Sequence, residues 1–230
     1  MNLNINIYIE NFLNILLPRR CVSCGNYLFK NEKNICLNCI RKIPSPDITN
    51  DYNVVKDRFA GKFLIQTASS LFLYDKNSKY SYLLYSLKNH GRKDLALFFG
   101  TLLVQKLPKG FFNSVDCIVP VPLHSKRFQE RGYNQAEQFA NGISKLINKP
   151  VITNLLIRNV YTNTQTKKSR HDRWKNVEGK FSLNNHLNLF PKHILLVDDV
   201  ITTGSTMEAC LYELSKIDNI QFSVASIAIA

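Results

Sequence analysis

The 230-residue chain carries a formal net charge of +13, and 45% of its residues are hydrophobic. This composition excludes an intrinsically disordered chain, and the length fits one ordinary domain with a small attachment. The positive charge favours anionic partners such as phosphates or nucleic acid. Only 17 residues are Asp or Glu, so a basic surface that merely lacks acids is an equal alternative.

The first 21 residues, MNLNINIYIENFLNILLPRRC, are apolar in places but are interrupted by Asn and Glu. They lack the basic start and the cleavage site of a secretory signal, and they are too short and too polar to span a bilayer. Their spacing predicts a short amphipathic helix packed on the domain, with a membrane-surface helix as the alternative. We therefore expect a cytoplasmic protein without a stable membrane span, or one peripheral at the inner membrane.

Four cysteines follow as two CxxC pairs separated by eleven residues: Cys21, Cys24, Cys36 and Cys39. Two such turns bring four thiolates together, which is typical of a closed, structural zinc site. Paired disulfides and core thiols are the alternatives, and the lack of a secretory context disfavours disulfides. Gly25 suits a turn that needs a positive φ angle. Cys117 and Cys210 are predicted to be ordinary core thiols.

A cluster of Pro, Asp and Asn at 44–53 predicts a boundary between an N-terminal helix and cysteine module (1–50) and a larger domain (51–230). Apolar patterns then predict strands at 67–74, 116–123, 150–158, 193–199 and 221–230. They predict helices at 81–107 with a break at Gly91, at 134–147 and at 205–217. This alternation predicts an α/β fold, with a mostly parallel sheet and helices on both faces.

Two acids, Asp198 and Asp199, follow the aliphatic run of the strand predicted at 193–199. The loop at 202–206 then offers hydroxyl groups, backbone N–H groups and Gly204 before a helix begins, as a phosphate site requires. It contains no lysine and is not a Walker A loop. Phosphate donors beside a pair of acids suit a ribose phosphate with Mg²⁺. The alternative is that these residues merely cap the helix.

The stretch LLVDDVITTGST resembles the phosphoribosyl-diphosphate (PRPP) signature of type I phosphoribosyltransferases. Together with LPRRCVSCG, VPVPLHSKRFQERGYNQAEQFA and TQTKKSRHDRWKNVEGKF, it makes the chain resemble the ComF family of competence-associated, phosphoribosyltransferase-like proteins. The resemblance implies a type I phosphoribosyltransferase fold with a small N-terminal zinc-ribbon-like module.

The resemblance also implies roles for particular residues. The ribose hydroxyls, directly or through Mg²⁺, would be held by Asp198 and Asp199. The 5′-phosphate would be held by Thr202, Thr203, Gly204, Ser205 and Thr206. Facing the diphosphate would be Lys126, Arg127 and Arg131. A flap reaching toward the ligand would contain Arg158, Gln165, Arg170 and Arg173.

No general acid or base for an acceptor stands out, although His90, His124 and His171 are candidates. Thr202 stands where some purine-salvage relatives carry an acidic residue, so we do not expect transfer to a purine base. The resemblance implies a glycosyltransferase that moves phosphoribosyl from PRPP, bound with Mg²⁺, to an unknown acceptor, in a protein linked to competence and DNA uptake.

The alternative is a non-catalytic PRPP-binding accessory protein that binds single-stranded DNA during natural transformation, with competence-machinery proteins as partners. The segment 74–93 interleaves Tyr with Lys, as single-strand binders do. The spacing of Tyr82 and Tyr85 among leucines favours the core face of a helix instead.

Overall fold

The computed structural model describes residues 18–48, 53–160, 179–184 and 191–230. The helix predicted at the N terminus lies outside the described residues, as do His171 and the flap residues Gln165, Arg170 and Arg173. The helices are α1 Leu37–Arg41, α2 Val54–Asp57, α3 Ser81–Asn89, α4 Lys93–Lys106, α5 Ser125–Arg131, α6 Gln135–Ile147 and α7 Ser205–Leu214. The strands are β1 Ile65–Leu73, β2 Cys117–Pro120, β3 Leu156–Arg158, β4 Phe181–Leu183, β5 His193–Ile201 and β6 Gln221–Ile229.

Four strands form a parallel sheet in the order β1-β6-β5-β2. The aliphatic side chains of β5 alternate between two hydrophobic clusters. Leu195 and Val197 pack with residues of α3, α4 and α6, whereas Ile194 and Leu196 pack with residues of α2 and α7. Because successive side chains of a strand point to opposite faces, helices cover both faces of the sheet. The predicted α/β fold class is confirmed.

The strand predicted at 150–158 is wrong in extent. Val151 forms one isolated parallel bridge with Ile118, a turn follows, and β3 then pairs antiparallel with β4 in a separate two-stranded ribbon. The turn falls at Thr153 and Asn154, polar residues that favour turns over a continuous strand. The ribbon leaves the main sheet at this turn.

The predicted break at Gly91 is confirmed, since α3 ends at Asn89 and Gly91 has φ +62°. The cysteine module also packs into the hydrophobic cluster formed with α3 and α4, through Ile35, Cys39 and Ile43. None of the helices in the described part of the chain combines the length and the apolar character needed to cross a bilayer.

Candidate functional site

The carboxyl edge of the sheet brings two predicted parts of the site together. The β2 and β5 strands are parallel neighbours, with Pro120 beside Val197, and Val121 donates its N–H to the Val197 carbonyl at 2.9 Å. The loop after β2 therefore leaves the sheet next to Asp198, the residue that follows Val197.

Asp198 and Asp199 are both partly exposed and lie within β5, which continues two residues beyond the predicted end. The Asp199 N–H donates to Asp198 Oδ1 at 2.8 Å. Burial of the Asp198 carboxyl raises its pKa well above the usual value, and the neighbouring charge of Asp199 adds to the rise. The two acids thus have different environments, although they are adjacent in the chain.

Lys88, in the last turn of α3, places its Nζ atom 3.3 Å from Asp199 Oδ2. Sequence reasoning missed this residue, because it lies in a helix far from the PRPP signature and in no motif. Its position shortly before the helix break at Gly91 does not indicate an ion pair with β5. The acid pair therefore already has one cation beside it.

The loop after β5 leads directly into α7, whose N-cap residue is Gly204 in the left-handed region at φ +80°. Glycine adopts this angle without strain, and it brings no side chain to cap the helix. Thr203 Oγ1 lies 3.0 Å from Ser205 Oγ and makes only a long, 3.5 Å contact with the Ser205 N–H. No side-chain cap closes the first turn, so helix capping does not explain this loop.

Four of the five residues predicted to hold the phosphate line one small concavity. The side chains of Thr202 and Thr206 are exposed, as is that of Thr203, which is not part of the lining. The lining includes Asp198, Thr202, Gly204, Ser205 and Thr206. Donor groups and one acid of the pair thus share one surface, and their predicted roles in ligand binding stay predictions.

Glu208 in the first turn of α7 is an acid that sequence reasoning did not weigh. An acid at a helix N-terminus would compete with a phosphate for the same positive end of the helix. Its Oε1 atom accepts a hydrogen bond from Lys62 Nζ at 2.7 Å, so its charge is offset within the structure.

The predicted diphosphate-facing residues belong to α5, which follows the loop after β2. Arg131 turns toward α6 and donates to Gln135 Oε1 at 3.2 Å.

Arg158, which was predicted to belong to the flap, is partly buried at the end of β3. Burial lowers the pKa of Arg158, Arg127 lowers it further, and Asp198 opposes the shift. Arg158 therefore interacts electrostatically both with Arg127 of α5 and with Asp198.

The stretch RGYNQ fixes the loop after β2 and also holds α3. Asn134 caps α6 through the Ala136 N–H at 3.1 Å, and its side-chain amide donates to the Val121 carbonyl at 3.0 Å. Tyr133 donates its hydroxyl to the Leu87 carbonyl. The motif thus has a clear structural role beside the site.

A larger cavity of about 460 Å³ opens between the loop after β2, α5 and β3. Its walls are mostly apolar, with Phe128 and Ile157 among them, and Arg158 contributes a positive group. Asp198 acts electrostatically on Arg158, which lines this cavity.

The structure contradicts the prediction that Tyr82 and Tyr85 belong to the helix core. Leu83, Leu84 and Leu87 are buried, whereas the two tyrosines are 47% and 52% exposed. Their rings stack 5.8 Å apart, and each makes an edge contact with His90. The leucines alone fill the core face of this nine-residue helix, so the tyrosines face outward.

His124 caps α5 by accepting from the Lys126 N–H at 3.2 Å.

The four predicted zinc ligands, Cys21, Cys24, Cys36 and Cys39, converge, with all four sulfur atoms within 4.8 Å of one another. Cys24 Sγ and Cys36 Sγ lie 3.8 Å apart, close to the edge of about 3.8 Å in a tetrahedron of 2.3 Å zinc–sulfur bonds. All four are free thiols, which favours the metal site over the disulfide alternative. Gly25 has the expected positive φ, +75°. The cluster fits zinc in geometry and in ligand type.

The thiols of this cluster differ in acidity. Burial alone would raise the pKa of Cys21, but backbone N–H groups, that of Cys36 first, outweigh it and lower the pKa to about 7. Burial raises the pKa of Cys39 to about 12. A tetrahedral metal requires thiolates and would therefore displace the proton of Cys39. Cys117 and Cys210 are buried in strand and helix, as predicted.

No family model matches the chain. Competence protein F of Haemophilus influenzae is 42% identical over 103 residues, which cover 44% of this chain and 43% of that relative. Competence protein ComFC of Bacillus subtilis is 27% identical over 199 residues, 85% of this chain and 79% of the relative. DNA utilization protein YhgH of Escherichia coli is 35% identical over 92 residues, 40% of each chain. These relatives confirm the predicted resemblance to the ComF family, although the first and third matches span less than half of each relative.

Among solved structures, the chain is similar to the allosteric regulatory enzyme of purine biosynthesis, with a TM-score of 0.39 at 20% identity. It is also similar to glutamine PRPP amidotransferase from B. subtilis complexed with ADP and GMP, with a TM-score of 0.38 at 20% identity. Each match covers 57% of this chain, and 25% and 26% of the respective enzymes.

Proposed function

From its likeness to ComF-family proteins, we propose that this chain binds PRPP with Mg²⁺ and transfers the phosphoribosyl group to an acceptor. One observation carries the proposal. Asp198, the first acid of the pair near the end of β5, shares a concavity with an uncapped helix N-terminus and its hydroxyl-bearing loop, and Asp199 follows it directly in the chain. A ribose 5-phosphate needs this combination, because its diol and its phosphate require opposite kinds of partner.

In the proposed complex, Asp198 and Asp199 accept hydrogen bonds from the ribose hydroxyls. Their carboxylate oxygens are the donors that Mg²⁺ prefers, and the ion would supply charge neutralisation for the diphosphate. The N–H groups of Ser205 and Thr206, with the hydroxyls of Thr202 and Thr203, hold the 5′-phosphate. Gly204 lets the backbone approach it closely.

As the bond between C1 of the ribose and the diphosphate oxygen breaks, negative charge gathers on the leaving diphosphate. Lys126 and Arg127 stabilise that charge from α5, the helix that follows the loop after β2, and Arg158 does so from β3. The developing positive charge on the ribose ring lies near the two acids. Arg131 contributes indirectly, because its guanidinium group donates a hydrogen bond to the Gln135 side chain.

The cavity of about 460 Å³ beside Arg158 is the proposed entrance for the acceptor. Its apolar walls favour an acceptor with a hydrophobic or aromatic part. The loop has Thr202 in place of an acidic group, and His124 is engaged as a helix cap. The acceptor would therefore bring a nucleophile that needs little activation.

Diphosphate release from PRPP, measured across a panel of acceptors in the presence of Mg²⁺, tests this function. The panel should include nucleobases, nucleosides, amines and single-stranded oligonucleotides. We expect release above the rate without acceptor for at least one class, with loss of release in Asp198→Asn/Asp199→Asn. Binding of PRPP without release for any class would contradict the transferase and favour the accessory protein.

A second function, binding of single-stranded nucleic acid, is favoured by the exposed Tyr82–Tyr85–His90 cluster. Aromatic faces stack on bases in proteins that bind single strands. Lys79, just before the same helix, supplies positive charge, whereas the charge of Arg92 beyond the other end is offset by Asp94 at 2.8 Å. The names of the relatives, which mention competence and DNA utilization, support the same function.

Fluorescence anisotropy of a labelled oligonucleotide tests this second function. We expect Tyr82→Ser/Tyr85→Ser to weaken binding by about tenfold or more, as loss of base stacking does. The control variant is Tyr212→Ser, because Tyr212 is another exposed tyrosine, on α7. Equal affinity of the double variant and the control would exclude this surface.

A further inference from the structure

Lys88 reaches the acid pair from a helix that no motif assigned to the site. Its Nζ atom is 3.3 Å from Asp199 Oδ2, and the two side chains are 36% and 18% exposed. Partial burial of the carboxylate makes the attraction stronger than in a fully exposed ion pair. The Lys88 ammonium group is therefore held beside Asp199 and does not extend freely into solvent.

Both ends of α3 are bonded to the four-cysteine module. At the first end, the Tyr80 hydroxyl donates to the Cys39 carbonyl at 3.2 Å. Just beyond the second end, Arg92 Nη2 donates to Asn34 Oδ1 at 2.8 Å. Asn34 is buried between the two CxxC pairs, so Arg92 contacts the interior of the module and not its surface.

The last turn of α3 has a third attachment, which comes from the RGYNQ stretch and not from the cysteine module. The Leu87 carbonyl accepts hydrogen bonds from the Tyr133 hydroxyl and from Gln135 Nε2, the latter at 3.4 Å. Carbonyl groups at helix ends lack partners within the helix, and these bonds satisfy one of them. Leu87 immediately precedes Lys88, so the backbone that carries Lys88 is fixed on both sides.

An anionic ligand cannot approach two adjacent carboxylates without repulsion unless cations offset their charge. Lys88 supplies one such cation in the unliganded protein. When the ligand arrives, the Lys88 ammonium group is within a short side-chain movement of any phosphate oxygen beside Asp199. Lys88 can therefore lower the repulsion first and then bind the ligand.

We infer that Lys88 is a ligand-binding residue of the acid-pair site, and that the four-cysteine module positions it through helix α3. The ligand class is a sugar carrying phosphate or diphosphate groups. The inference rests on the proposed function and deepens it, because it adds a binding residue and gives the module a part in ligand binding.

Isothermal titration calorimetry with PRPP and Mg²⁺ tests the role of Lys88. We expect Lys88→Met to weaken binding by about tenfold or more, the effect of losing one hydrogen bond between charged groups. Lys88→Arg should recover most of the affinity, since it restores the positive charge. Lys76→Met is the matched control, because it removes an equal charge from an exposed loop residue before α3.

The outcomes separate this inference from the function on which it rests. If the wild-type protein binds no PRPP, the proposed function fails and the inference fails with it. If the wild type binds PRPP and Lys88→Met binds it as tightly as Lys76→Met does, only the inference is overturned.

The positioning role of the module requires its own variant. Asn34→Ala removes the acceptor that the module offers to Arg92 and leaves the bonds of Arg92 to Asp94 in place. Asn38→Ala is the control, since Asn38 is exposed in the same module. We expect Asn34→Ala to weaken PRPP binding while its zinc content, measured by mass spectrometry, equals that of the control. Equal PRPP affinity in these two variants would overturn the link between module and site.

Discussion

At the residue scale, the two adjacent acids differ in what surrounds them. Asp199 has Lys88 as an ion-pair partner, whereas the carboxyl of Asp198 is desolvated and lies next to a like charge. A carboxyl with a raised pKa favours the folded state while it is protonated. That contribution to the free energy of unfolding is lost as the pH rises from the unfolded pKa, about 3.9, through the higher folded pKa. At neutral pH, Asp198 thus lowers the free energy of unfolding of the unliganded protein, although the proposed ligand needs its carboxylate.

Asp198→Asn should therefore raise the melting temperature of the unliganded protein at pH 8, because the amide has no charge to desolvate. One kcal/mol corresponds to about 2–4 °C for a chain of this size. The difference from wild type should shrink as the pH falls toward 4. Differential scanning fluorimetry across pH 4 to 8 measures it, with the exposed Asp218→Asn as control. A melting temperature for Asp198→Asn below that of wild type at pH 8 would contradict this account.

At the element scale, α4 and α6 approach closely because each has a glycine at the contact. A Cβ atom added at Gly100 would overlap the Phe139 carbonyl oxygen, and one added at Gly142 would overlap the Leu97 carbonyl oxygen. Both obstacles are backbone atoms, which cannot move aside as side chains do. The two helices thus cover one face of the sheet as a tightly packed pair.

Gly100→Ala should destabilise the protein by roughly 1–3 kcal/mol, the usual cost of overpacking. The sign is informative, since alanine in an ordinary helix would stabilise by about 1 kcal/mol relative to glycine. Urea denaturation measures the change, and the exposed Lys145→Ala on α6 should shift the free energy of unfolding by no more than about 0.5 kcal/mol. A stabilised Gly100→Ala variant would show that the helices are farther apart.

Sequence patterns predicted the elements that bury a continuous apolar face, such as β5 and α6, because periodicity records burial. They also located the acid pair and its loop, since these lie next to each other in the chain. They did not find Lys88, and they placed Tyr82 and Tyr85 in the core. Both errors have one cause: the orientation of α3 is set by tertiary contacts, including those with the cysteine module, and helical spacing alone does not encode it.

At the scale of the whole molecule, the cysteine module is joined to the larger domain by core packing and by hydrogen bonds. Ile35 and Ile43 pack in the hydrophobic cluster that includes Leu83, and Tyr80 donates to the Cys39 carbonyl. The boundary predicted near residue 50 remains a proposal. The shared core indicates that the module and the domain depend on each other for stability.

We therefore expect a strong chelator, by withdrawing zinc from the proposed four-cysteine site, to lower the single melting transition of the whole chain by roughly 10 °C or more. Differential scanning calorimetry measures this effect, and adding back Zn²⁺ should restore the transition while Mg²⁺ should not. An unchanged main transition, with a separate small one for the module, would contradict the shared core.

The proposed PRPP binding depends above all on the site formed by the acid pair and the loop after β5. Isothermal titration calorimetry of PRPP, with Mg²⁺ present, compares the wild type with Asp198→Asn/Asp199→Asn and with the exposed control Asp75→Asn/Asp218→Asn. We predict that the control binds as the wild type does and that the site variant binds at least about 100-fold more weakly, since it loses two charged partners of the ligand. Equal affinity of the site variant and the control would contradict the account.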